Sequence, residues 1–396
     1  MQSRTGFWRG IGRIPLLPVV GIALVLLALA ADATTAVAES GPAALHGDFA
    51  ISKNGRFILL PVHAADREIL CLLDTGAGLS AFDVTLRKLL GAPQPARLVD
   101  APGGRARVET FAWPQIKLGE QTISSSKPVA CIDLENVRRA SDSQVYGVIG
   151  MDVLATSRLQ IDFDRGVLKF LDRIDPTREE LGHRIPLRIA EDGTPHLFGA
   201  IDDTREEQFL IDTGAQGNSL AIDVFDELVD QGRIRLGASF ASTTIAGETR
   251  GERGRLDRVT FGPFTHKQLR FSRVRMSSLG LRFLSRFRVL LDFPGKRLYL
   301  QPGMQFEKSE PRATSGLMLK WIDGEVRVDG VRENGPAASV GVKAGDVLLR
   351  IDGKSARSYD YFALRELLMS TGGKVVPLTV RRDKRHLDFE LVLNED

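Results

Sequence analysis

Cysteine is nearly missing from this chain: there are two, Cys71 and Cys131, in 396 residues. Two cysteines make no disulfide framework for a fold of this length. Cys71 falls in an apolar run where a small buried residue serves as well, so both are expected as buried thiols. A large net charge is missing too. The formal balance is +3, which gives no reason to expect nucleic acid as a partner. The most basic run, "RRDKRH" at 381–386, lies between strand-like segments and is expected as a solvated hairpin tip. The six histidines (His46, His63, His183, His196, His266, His386) show no H-E-x-x-H spacing, so no metal centre is expected. No G-x-S-x-G occurs, which removes the serine nucleophile elbow. "GGK" at 372–374 lacks the leading glycine spacing of a phosphate-binding loop and reads as a turn.

Long apolar runs are confined to the N-terminus. Arg4, Arg9 and Arg13 form a positive head, "LLPVVGIALVLLALA" (16–30) an apolar core broken by Pro18 and Gly21, and "AVA" (36–38) a small-x-small cleavage site. The core falls short of the roughly 20 residues a spanning helix needs. Residues 1–38 are therefore expected to be an export signal, with an uncleaved N-terminal anchor as the alternative. The rest of the chain is expected to be periplasmic or secreted, touching a membrane only if that segment is retained.

What the chain does have is internal repetition. "CLLDTGAGLSAFD" (71–83) and "FLIDTGAQGNSLAID" (209–223) each place an aspartate, Asp74 or Asp212, at the end of an apolar run and before Thr-Gly-Ala. Later, "YGVIGMDVLATSRLQIDFDRGVLKFL" (146–171) matches "SSLGLRFLSRFRVLLDFPGKRLYL" (277–300), equating Gly150 with Gly280 and Asp162 with Asp292. Two copies of one unit predict two lobes, 46–172 and 183–300, about a pseudo-twofold axis. Short apolar runs, alternation and Gly/Pro punctuation predict mainly β structure, with helix in short pieces such as "AIDVFDELVDQG". Residues 301–314, polar and carrying Pro302 and Pro311, read as a linker that few contacts cross. The segment 315–396 reads as a small α+β domain of five strands. Its helix is predicted over 358–370, capped by Ser358, with Phe362, Leu364, Leu367 and Leu368 as its apolar face.

An acid at a half-buried strand end is costly unless something compensates. A pseudo-twofold would bring Asp74 and Asp212 together. Two carboxylates a few ångströms apart do not both ionise readily and share a proton. One can then act as general acid and the other as general base toward a water held between them, with no metal or organic cofactor. Gly76 and Gly214 free the close approach of Cβ atoms. Thr75 and Thr213 offer hydroxyls that can bond across the boundary.

The paired "DTGA" motifs, each followed by "VIG" or "SLG" and then "IDFD" or "LDFP", resemble the retropepsin-like aspartic proteases over residues 46–300. The resemblance implies a bilobal β-barrel fold with Asp74 and Asp212 as the catalytic pair. Thr75, Gly76, Thr213 and Gly214 would complete the catalytic loops, and turns at Gly150 and Gly280 would support them. Ser278 departs from the apolar residue expected there. Glycine-rich segments 99–109 and 244–256 would be the flaps, neither carrying the tyrosine of pepsin-like flaps. "GPAASVGVKAGDVLLRIDGKSA" (335–356) resembles the PDZ domains of exported bacterial proteases. By that resemblance Gly316, Leu317 and Met318 lie in the loop that receives a peptide C-terminus, and the peptide adds beside 317–322. The expected partners are a polypeptide substrate and a C-terminal peptide ligand. The function expected is an exported aspartic endopeptidase. The alternative is an inactive peptide-binding scaffold, which Asp74→Asn distinguishes.

Overall fold

Alternation in the sequence becomes alternation in burial. In the strand Leu59–Ala64, Leu60, Val62 and Ala64 are buried while their neighbours are not. The strand pairs antiparallel with Arg67–Leu73 through a tight turn at Ala65, whose φ is +56°. The computed structural model describes residues 45–395 except 53–55, 102–103, 142, 176–180, 238–239, 245–246, 311–312 and 323. The N-terminal segment 1–38, and residues 102–103 and 245–246 within the segments 99–109 and 244–256 expected as flaps, lie outside the described residues. Among the described residues no helix is long and apolar enough to cross a membrane.

The two repeats build equivalent sheets. The first repeat forms a nine-stranded sheet in which Val145–Ile149 lies parallel to Arg67–Leu73, Ile149 opposite Leu73. The second forms an eight-stranded sheet in which Ser278–Leu279 lies parallel to Arg205–Ile211, Leu279 opposite Ile211. Pairing of Pro195–Ile201 with Arg253–Phe261 curls the second sheet toward a barrel. In each repeat, then, the apolar-Gly segment lies beside the strand that ends in aspartate.

A six-stranded sheet takes three strands from each repeat. At its middle, Arg158–Asp162 runs antiparallel to Phe287–Asp292 with Gln160 opposite Leu290. The repeat equates these same two residues, so the pseudo-twofold axis passes between them. Arg158 faces Asp292, its Nε 3.2 Å from the carboxylate, and Asp162 faces Arg288. One continuous apolar core, from Leu45 to Leu300, serves both lobes.

The segment 301–314 is not the loosely attached tether its polarity predicts. Phe306 packs its ring against Phe264, His266 and Phe287. Arg286 donates to the Phe306 and Lys308 carbonyls, and Glu310, buried, accepts from the Arg270 amide at 3.0 Å. One aromatic ring and one buried carboxylate outweigh a polar composition.

Beyond it, Leu317–Ile322 forms one edge of a separate six-stranded sheet with its own core of Val326, Val328, Leu348, Ile351, Leu364, Val380 and others. Two details differ from expectation. The helix Tyr361–Leu368 is capped by Asp360, which accepts from the Ala363 amide at 2.7 Å; Ser358 instead sits in a preceding 3-10 turn. The basic run 381–386 is not simply solvated. Arg382 makes a two-pronged contact with buried Asp346 at 2.7 and 2.8 Å, and Arg381 holds Glu325. The hairpin turns at Asp383, where φ is +57°.

Candidate active site

The strands Arg67–Leu73 and Arg205–Ile211 deliver Asp74 and Asp212 to the axis from opposite sides. Each aspartate amide is fixed by the adjacent apolar-Gly segment: Asp74 N donates to the Ile149 carbonyl and Asp212 N to the Leu279 carbonyl, both at 3.0 Å. The threonines then lock the loops reciprocally. Thr75 Oγ1 donates to the Ile211 carbonyl (2.6 Å) and accepts from Thr213 N (3.1 Å). Thr213 Oγ1 donates to the Leu73 carbonyl (2.8 Å) and accepts from Thr75 N (3.0 Å). All these atoms are buried, where each bond matters most.

The glycines are dictated by proximity. A methyl group on Gly76 would lie 2.8 Å from Asp212 Cγ, and one on Gly214 only 2.3 Å from Asp74 Cγ. A methyl on Gly150 would meet the Ala77 carbonyl at 2.7 Å, and one on Gly280 the Gly217 carbonyl at 2.4 Å. The structure thus brings together all eight residues that the sequence singled out for this site. Asp74 Oδ1 accepts from Gly76 N (2.8 Å); Asp212 Oδ1 accepts from Gly214 N and Ala215 N (2.9 Å each). Asp212 Oδ2 is buried without a donor among the described residues.

Both carboxyl groups titrate above the ordinary range. Burial is the main cause for each. Asp212 is raised further by the Asp74 charge, while the amides of Gly76 and Gly214 oppose the shift. Side by side and buried, the two carboxyl groups keep a proton to higher pH than isolated carboxylates do.

Two supporting residues escaped the sequence reading. Six positions after each aspartate stands a small hydrogen-bonding residue, Ser80 or Asn218. Ser80 Oγ accepts the Gly150 amide at 3.0 Å, and Asn218 Oδ1 the Gly280 amide at 3.2 Å. Their equal spacing was the available signal. Ser278, the residue out of pattern, is buried and bonds Ser219 Oγ at 2.8 Å, so its hydroxyl is satisfied.

Residues 199–282 match the family model of the aspartyl protease, and 327–382 that of the PDZ domain. The fold is mainly β with barrel-like sheets, and it carries an aspartyl protease match in its second repeat and a PDZ match near its C-terminus. The protease match includes Asp212 and Gly280; Asp74 is tied to it by the repeat. No curated protein matches the chain. Among solved structures, a retropepsin-like aspartic protease from Rickettsia conorii is 19% identical with TM-score 0.23, covering 30% of this chain and 89% of that one. A photosystem II D1 C-terminal processing protease is 18% identical with TM-score 0.21, covering 24% of this chain and 26% of that one. An aminopeptidase N family protein from Idiomarina loihiensis is 22% identical with TM-score 0.20, covering 22% and 15%. The chain thus spans about a quarter or less of the length of the last two.

Two hairpins run into the glycine-rich segments expected as flaps. Pro93–Ala101 pairs with Gly104–Phe111, and Phe240–Thr244 with Gly247–Gly251. The backbone of the second passes beside the helix Glu135–Ser141 of the other lobe. In the PDZ domain, Gly316 adopts φ +72° ahead of the edge strand. The Gly316 and Leu317 amides, expected to face a ligand, donate locally to Thr314 Oγ1 (3.3 Å) and Ser315 Oγ (3.2 Å). Met318 pairs opposite Gly330, over which its side chain lies. Asp360 joins the domain to the first lobe: Oδ1 caps the helix while Oδ2 accepts from Arg56 at 2.7 Å.

Proposed function

We propose that this chain is an exported aspartic endopeptidase acting on extended polypeptide. The observation that carries the reading is the contact of two buried carboxyl groups, Asp74 and Asp212, whose loops are locked by reciprocal threonine bonds. A complete dyad with both supporting turns is what peptide hydrolysis needs, and loss of either aspartate would suffice to end it.

In this reading one aspartate is ionised and its partner protonated. The ionised carboxylate removes a proton from a water held between them as the water oxygen attacks the peptide carbonyl. The protonated carboxyl gives its proton to the carbonyl oxygen, so the tetrahedral intermediate forms as a neutral gem-diol. Collapse breaks the C–N bond. The first aspartate passes its proton to the leaving amine, and the other recovers one from the diol. The dyad ends as it began, and the reaction draws only on water.

Substrate would cross between the lobes beneath the two hairpins, and the PDZ domain would bind a peptide C-terminus at its free edge strand. The basic head, apolar core and small-x-small site of residues 1–38 support placement outside the cytoplasm.

Asp74→Asn tests the reading. It should abolish cleavage of a denatured protein substrate while leaving the thermal transition in place. Equal cleavage by both proteins, or none by the wild type, would leave the scaffold alternative standing.

A further inference from the structure

One buried acid beside the dyad has no part in the reaction above. Asp152 lies on the short helix Met151–Leu154 that follows Gly150 and is 7% exposed. Its Oδ1 accepts two hydrogen bonds from one residue, the Ser80 amide at 2.8 Å and the Ser80 hydroxyl at 2.7 Å. Its Oδ2 is buried with no donor among the described residues. Taking a carboxylate out of water for so few bonds is costly. Burial pushes its pKa up to about 6, opposed by the Ser80 bonds, the Ser125 hydroxyl and the Lys127 charge. An apolar side chain would avoid that cost, so the buried acceptor needs a reason.

The reason lies in the direction of the Ser80 hydroxyl. That group has one proton to give. Given to Asp152, it leaves the oxygen lone pairs for the Gly150 amide, at 3.0 Å. Gly150 is held from both sides: Met151 donates to the Ala77 carbonyl at 2.7 Å, and the Ile149 carbonyl accepts from Asp74 N at 3.0 Å. The chain of contacts runs from Asp152 through Ser80 and the Gly150 turn to the backbone of the Asp74 loop. In the second lobe no acid is needed. Asn218 presents a fixed carbonyl oxygen to Gly280, and its amide donates to the Arg270 carbonyl at 3.4 Å. The residue equivalent to Asp152 there is Arg282. A serine hydroxyl rotates freely and an asparagine carbonyl does not, so the serine half-site requires an orienting acceptor and the asparagine half-site does not.

We propose that Asp152 is the positioning residue of the Asp74 half-site, orienting Ser80 so that the Gly150 turn holds Asp74 in register with Asp212. It touches neither substrate nor the reacting atoms. The inference rests on the protease reading and deepens it.

The test compares full-length wild type, Asp152→Ala, Asp152→Asn and Ser80→Ala by steady-state peptide cleavage and by amide hydrogen exchange at Gly150. Misplacement of a reacting group by about 1 Å can cost on the order of 100-fold in rate. Asp152→Ala should lower kcat roughly 10–100-fold with KM within about twofold, and should speed Gly150 exchange. Asp152→Asn keeps the accepting oxygen and should restore kcat to within about threefold of wild type, with slow exchange. Ser80→Ala should match Asp152→Ala, and the double variant should add little, since both break one chain. An Asp152→Ala or Ser80→Ala protein with wild-type kcat and wild-type Gly150 exchange overturns the proposal. So does a loss that falls on KM alone, or one that asparagine does not rescue. If Asp152→Ala does not fold, Ser80→Ala carries the same two readouts. Failure of the protease reading looks different: wild type and Asp74→Asn are then equally inactive, while Gly150 exchange still reports whether Asp152 holds the turn.

Discussion

Thr75 and Thr213 each donate a hydroxyl to the carbonyl immediately before the other's aspartate. The dyad geometry is therefore set by the neighbours of the carboxylates, and each lobe holds the other's loop. Thr75→Val removes the donor to Ile211 and the acceptor for Thr213 N while keeping the volume. It should cost about 2 kcal/mol of stability, at roughly 1 kcal/mol per bond, and depress cleavage at least tenfold. Thr75→Ser should retain most of both. Chemical denaturation and peptide turnover check this; an active, undiminished Thr75→Val would refute it.

The glycine contacts predict a sharp positional contrast. Gly214→Ala pushes a methyl group to 2.3 Å from Asp74 Cγ. The carboxyl pair must separate, and activity should vanish. Gly217→Ala, three residues on, meets nothing within 4 Å and should cleave at close to the wild-type rate. Equal effects of the two substitutions would show that carboxyl proximity is not what these glycines protect.

Burial raises Asp74 to about 6 and pushes Asp212 the same way. The folded protein thus binds a proton more readily than the unfolded chain, whose aspartates titrate near 3.9. Stability attributable to the pair should be greatest below about pH 4, fall as pH rises through about 6, where Asp74 titrates, and go on falling above that as Asp212 ionises. Relative to Asp74→Asn, wild type should gain stability on acidification from pH 7 to pH 4. The kcat/KM profile should be bell-shaped and centred at roughly pH 5–6. Relative stability that rises with pH, or an optimum near pH 3, contradicts this account.

Truncation should be sensitive to where it falls. Ending the chain after Gln301 removes Phe306 from its contacts with His266 and Phe287, and Glu310 from the Arg270 amide. That fragment should be poorly soluble. One ending after Thr314 keeps these contacts and should fold and cleave short peptides. Solubility and circular dichroism of the two fragments decide it.

Much of this site was legible because symmetry doubles the signal. A lone Asp-Thr-Gly is a common turn; two at equivalent places in a repeat locate an axis, and Gly76, Gly214, Gly150 and Gly280 follow from the crowding there. Ser80, Asn218 and Asp152 were not found because small polar residues near a strand end look alike whether they cap, relay or merely face water. The packed segment 301–314 was misread for a related reason. Composition averages over fourteen residues, whereas its attachment depends on two, Phe306 and Glu310. Arg381 and Arg382 were assigned to solvent because a charge run gives no hint of the buried Asp346 across the sheet.

The seam between Arg158–Asp162 and Phe287–Asp292 carries a consequence about symmetry. The paired stretches 158–162 and 288–292 each have an arginine at one end and an aspartate at the other, and the axis crosses at the central residues, Gln160 and Leu290. Laid antiparallel on a copy of itself, either strand would set arginine against aspartate at both ends. The joint is therefore self-complementary in charge and register, as a joint between two separate, identical chains must be. A half-length chain carrying either strand would meet a second copy of itself in this same register, with the same charges matched.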